Sequence, residues 1–86
     1  MPYYLGAAKR IGEVVLPSLP SDYQTSVLKR MQALGYGDPK ADGSEAIEGV
    51  PNGYRVKCPD KNVEILYVVD EAFRHVWVFG VYLVRQ

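Results

Sequence analysis

An α+β fold is predicted: a short first strand, two helices, and then a three-stranded antiparallel meander. Two observations predict it. An apolar stripe at helical spacing runs from Tyr23 to Leu34, and from Gly53 onward the apolar pattern changes to period two.

Tyr3, Tyr4 and Leu5 are aromatic and apolar enough for a first strand within residues 1–8. Residues 7–16 carry helix formers and an Ile11/Val14/Val15 stripe, although Gly12 weakens a helix there by about 1 kcal/mol. Pro17 and Pro20 then punctuate the chain. In the next helix Tyr23, Val27, Leu28, Met31 and Leu34 form one face. Ser21 or Asp22 is its expected cap, Lys29 and Arg30 sit late in it, and Gly35 or Gly37 is expected to stop it in a left-handed conformation. Residues 35–52, with four glycines, two prolines and an acidic cluster, read as a long connection.

Beyond it, Tyr54, Val56 and Cys58 alternate with Arg55 and Lys57, giving an apolar and a cationic face. Pro59 to Asn62 marks a turn, Val63–Val69 a second strand, Asp70–Arg74 a second turn, and His75–Arg85 a third strand. That last strand is apolar at consecutive positions, which predicts an interior strand covered on both faces. Connections this short enforce antiparallel pairing.

The totals restrict function. With 86 residues one domain, 1–86, is expected, with a small core to which a bound partner would add stability. Ten basic and ten acidic residues cancel, so affinity for nucleic acid has to be local. Between residues 35 and 50 Lys40 faces Asp38, Asp42, Glu45 and Glu48. A single cysteine excludes an internal disulfide and, with no signal-peptide pattern or long apolar run, predicts a cytoplasmic protein with no membrane contact. Cys58 reads as a packed strand residue. One histidine and one cysteine do not make a zinc site, and no phosphate-binding glycine loop is present, so neither metal nor cofactor is expected. His75 reads as part of a hairpin closure. The informative pair is Arg55 and Lys57, two residues apart on a strand and hence about 6.6 Å apart on one face, a spacing suited to a phosphodiester. Alternating charge also marks any solvated sheet face.

Gly49 to Lys57 (GVPNGYRVK), then Ile65 to Glu71 (ILYVVDE) and Val76 to Val81 (VWVFGV), together resemble the RelE/ParE toxin superfamily over residues 46–81. The resemblance implies a microbial-ribonuclease-like sheet with two helices on one side. It also implies cleavage of ribosome-bound mRNA by attack of a ribose 2′-hydroxyl on the adjacent phosphate, and an antitoxin as cognate partner. On this resemblance Arg55 and Lys57 hold the phosphate and activate the hydroxyl, while Glu64 stands where the family carries an arginine. Glu64 is then a candidate general base, with Arg85 or Tyr82 assisting at the end of the last strand. A one-residue shift is needed to bring Arg85 onto the family position, which turns its side chain to the other face. Losing a phosphate-facing cation weakens such a mechanism, commonly by about 10²- to 10³-fold. The alternative is a non-catalytic, ParE-like protein that acts by binding gyrase or an antitoxin.

Overall fold

The computed structural model describes residues 3–37, 43–58 and 60–84. Strand β1 (Tyr4–Ala7) leads into a helical segment α1 over residues 9–18, π-helical over Ile11–Val15 and α-helical over Leu16–Ser18. Helix α2 (Ser21–Tyr36) follows, then strands β2 (Glu45–Ala46), β3 (Gly53–Lys57), β4 (Val63–Asp70) and β5 (His75–Leu83). They form one five-stranded sheet in the order β1-β5-β4-β3-β2. The meander β3-β4-β5 is antiparallel as expected, and β1 joins it parallel to β5.

Both helices pack on one face of this sheet. Ile11, Val27, Met31 and Leu34 meet Val56, Ile65, Tyr67, Val69, Val76 and Val78 in the core. Leu28, expected on the buried stripe, is largely exposed, because the helix contacts the sheet over a narrower arc. Tyr67 is fully buried and stacks on Tyr54, with ring centroids 6.0 Å apart.

Several local expectations change. Neither Ser21 nor Asp22 caps α2: Pro20 occupies the cap position without a side-chain bond, and Ser21 is already helical. The helix end at Gly37 is extended rather than left-handed (φ −103°, ψ −153°), closed by Gly37 N–H donating to Ala33 O at 2.8 Å. Lys29 and Arg30 precede the last turn, which has no basic residue. The connection after α2 is not wholly irregular, since Glu45 and Ala46 pair with Arg55 and Tyr54. Two residues are too few for a period-two signal. Asp38, Lys40 and Asp42 of the acidic cluster lie outside the described residues.

The largest correction concerns β5. It is interior by hydrogen bonding, yet only one face is covered, and Trp77, Phe79 and Tyr82 are about two-fifths exposed (40%, 39% and 43%) on the strand expected to be covered on both sides. A bulge explains part of the misleading pattern. Leu66 pairs with Gly80 while Tyr67 pairs with Val78, so Phe79 is the extra residue and the in–out alternation slips there.

Candidate functional site

The site candidates stand on the sheet face opposite the helices. Arg55 and Lys57 are both exposed and alternate with buried Val56 and Cys58, so their side chains leave the same face of β3. Register carries that face across the sheet. Lys57 pairs with Glu64 and Glu64 with Tyr82, while Glu45 pairs with Arg55, Arg55 with Leu66 and Leu66 with Gly80. Four of the five expected site residues, Arg55, Lys57, Glu64 and Tyr82, therefore occupy neighbouring rungs of one surface. Arg85 lies outside the described residues.

The electrostatics separate the two cations. Arg55 Nη2 donates to Glu45 Oε2 at 3.0 Å, and this bond and the Glu45 charge raise the guanidinium pKa above its ordinary value. Glu64 and Tyr82 act on it in the same direction more weakly. Lys57 forms no ion pair among the described residues, with Glu64 across from it on β4, so of the two cations it is the one not held by a carboxylate. The Tyr82 hydroxyl donates to Glu64 Oε2. That bond, with some desolvation and the Glu64 charge, raises the Tyr82 pKa, so the phenol is held protonated as a donor.

Sequence reasoning missed Glu45 as a site residue. Its neighbour Arg55 is reached only through the two-residue strand β2, and nothing in the local pattern signals that pairing. His75 has its ring 5.9 Å from that of Trp77, on the same open face. Cys58 is buried, and burial raises its thiol pKa. No helix among the described residues is long and apolar enough to cross a membrane.

Helices on one face, a parallel β1 added to an antiparallel meander, and an open polar face opposite define the α+β fold of RelE-type toxins. The archaeal RelE–RelB complex from Pyrococcus horikoshii OT3 is similar with a TM-score of 0.79 at 19% identity, over 96% of each chain. The isolated E. coli RelE toxin is similar with a TM-score of 0.77 at 20% identity, over 98% of this chain and 86% of that one. More distantly, the chromosomal ParDE system from P. aeruginosa gives a TM-score of 0.65 at 8% identity over 96% and 97% of the two chains. At these identities the likeness is one of fold. No protein-family model and no curated protein matches the chain.

Proposed function

We propose that this protein is the toxin of a toxin–antitoxin pair, acting in the cytoplasm on mRNA at the ribosome with weakened catalytic power. The observation that carries this reading is the shared exposed face of Arg55 and Lys57, Lys57 on the rung of the Glu64–Tyr82 pair and Arg55 one rung away. Lys57 and Arg55 engage the phosphate, and Glu64, oriented by the Tyr82 hydroxyl, accepts the proton of the attacking 2′-hydroxyl; a 2′,3′-cyclic phosphate closes as the bond to the 5′-oxygen breaks, and that oxygen takes a proton from water. Two carboxylates on the same face, Glu45 and Glu64, oppose the approach of the phosphate and limit the rate. An antitoxin is the expected partner, as RelB is of RelE in the similar complex.

The test is RNA cleavage on programmed ribosomes, with growth followed after induction in cells. Cleavage that disappears in Arg55→Ala/Lys57→Ala supports the reading; intact RNA together with unchanged growth overturns it. Internal pairing of Arg55 by Glu45 favours a second reading, in which the protein binds a protein target such as gyrase. Growth arrest with intact mRNA and gyrase recovered with the protein would select that one.

A further inference from the structure

Trp77 is the single tryptophan of the chain and stands on the open sheet face, 40% exposed. Its cross-strand neighbours are Val68 on β4 and Gly6 on β1. Gly6 is the residue that makes its position possible. A Cβ built there would lie 2.9 Å from Trp77 Cε3 and 3.0 Å from Cζ3, so the six-membered ring of the indole covers the Gly6 backbone. His75 extends the surface, its ring 5.9 Å from the indole and tilted by 30°. An aromatic laid over a strand glycine shields that backbone, which is a sufficient structural role. It does not account for the location beside the cations. Gly53 pairs with Val68 and Arg55 with Leu66, so Trp77 sits two strands and one rung from Arg55, roughly 10–12 Å between backbones.

Cations with an aromatic face on the same sheet surface are an arrangement that holds single-stranded nucleic acid. Phosphates meet the cations and unstacked bases lie on the rings. We propose that Trp77, seated on Gly6, is a stacking platform for an unpaired base of the RNA strand whose phosphate lies at Arg55 and Lys57. This rests on the RNA-directed reading above and adds to it a residue that binds base rather than phosphate. The platform is tolerant of base identity, because every base offers a π-face.

The tryptophan is its own reporter. The probe is a 2′-O-methyl hexaadenylate, which has no free 2′-hydroxyl and so is not cut, with an abasic hexamer of the same charge as control. Binding is followed by anisotropy of a label on the oligonucleotide and, separately, by intrinsic emission. The expected result is quenching of Trp77 emission by the hexaadenylate and not by the abasic strand. Trp77→Ala should weaken hexaadenylate binding about 5- to 150-fold while leaving the abasic strand unaffected, and Trp77→Phe should recover most of the loss. Gly6→Ala, which pushes on the ring without removing it, should weaken binding in the same selective way. Circular dichroism shows whether each variant is folded, and Trp77→Phe decides the matter if Trp77→Ala is not. Hexaadenylate bound with unchanged emission, and equally well by Trp77→Phe and Trp77→Ala, overturns the platform and leaves the RNA reading standing. Neither strand bound also overturns the platform, and the RNA reading is then decided by cleavage on programmed ribosomes.

Discussion

Tyr82 and Glu64 face each other on adjacent strands, and the phenol donates a hydrogen bond to the carboxylate. The bond holds one carboxylate oxygen, and Lys57 stands across from Glu64 on the other neighbouring strand. A carboxylate placed in this way can accept a proton, whereas an unrestrained surface acid would only repel phosphate. The two roles give opposite mutational signs. Glu64→Gln is expected to reduce RNA cleavage about 10²- to 10⁴-fold, the range of general acid–base contributions, and Tyr82→Phe to reduce it by about tenfold or less. Measured cleavage rates on ribosomes check this, and faster cleavage by Glu64→Gln would assign the carboxylate a purely inhibitory charge.

Glu45 neutralises Arg55 through an exposed pair, so its removal should matter for ligands more than for stability. Glu45→Gln is expected to change unfolding free energy by about 0.5 kcal/mol or less, as exposed ion pairs contribute little. The same change should tighten binding of a single-stranded oligonucleotide several-fold. Lys57→Ala should weaken it and lower the dependence of log affinity on log salt by about 0.7, the value for one phosphate contact on a single strand. Titrations at three or four salt concentrations separate the two residues.

The arrangement of this face was only half legible in the sequence. The alternation Tyr54-Arg55-Val56-Lys57-Cys58 states which side chains share a side, and the structure puts Arg55 and Lys57 on the exposed one. Short turns at 59–62 and 70–74 likewise specify the meander, and the Phe73 N–H bonded to Asp70 Oδ1 at 3.2 Å is the kind of turn those residues favour. What could not be read depends on distant pairing. The parallel addition of β1 beside β5 brings Gly6 under Trp77, and β2 brings Glu45 to Arg55. The bulge at Phe79 conceals the open face of β5 behind a continuous apolar run, since an extra residue puts two apolar side chains where a regular strand alternates. Helix caps failed for a local reason: with Pro20 extended before Ser21, the helix starts one residue earlier than its side-chain oxygens would mark.

Burial separates apolar residues that the sequence treats alike. Ile65 is fully buried in the middle of β4, whereas Phe73, in the turn before β5, is 76% exposed. Ile65→Ala should cost about 2–5 kcal/mol, through lost transfer energy and the cavity left behind, which in a small domain can unfold much of the population. Phe73→Ala should stay within about 0.5 kcal/mol despite removing the larger side chain. Urea unfolding of both variants provides the comparison. A large loss at Phe73 would mean that its ring is covered in solution, for example by a second copy or a bound chain.

Tyr82 and Cys58 should together make the protein sensitive to alkali. Each has its pKa raised in the folded state, Tyr82 chiefly by donating to Glu64 and Cys58 chiefly by burial. A raised pKa means that the folded chain holds the proton more tightly than the unfolded one. The associated stability is therefore intact below the unfolded pKa values, about 8.5 for cysteine and 10 for tyrosine, and is lost as pH rises through the folded ones. Unfolding free energy is expected to be flat from pH 7 to about 8 and then to fall, first as Cys58 begins to ionise in the unfolded chain and then as Tyr82 does. Tyr82→Phe should remove the upper part of the fall and Cys58→Ala the lower part, even though Cys58→Ala starts from a lower stability at neutral pH because a buried side chain is truncated. Urea unfolding at half-unit pH steps measures this. If the slope above pH 10 is the same with Phe at position 82, the hydroxyl is not bonded to Glu64 in solution, and the base assigned to the site loses the contact that orients it.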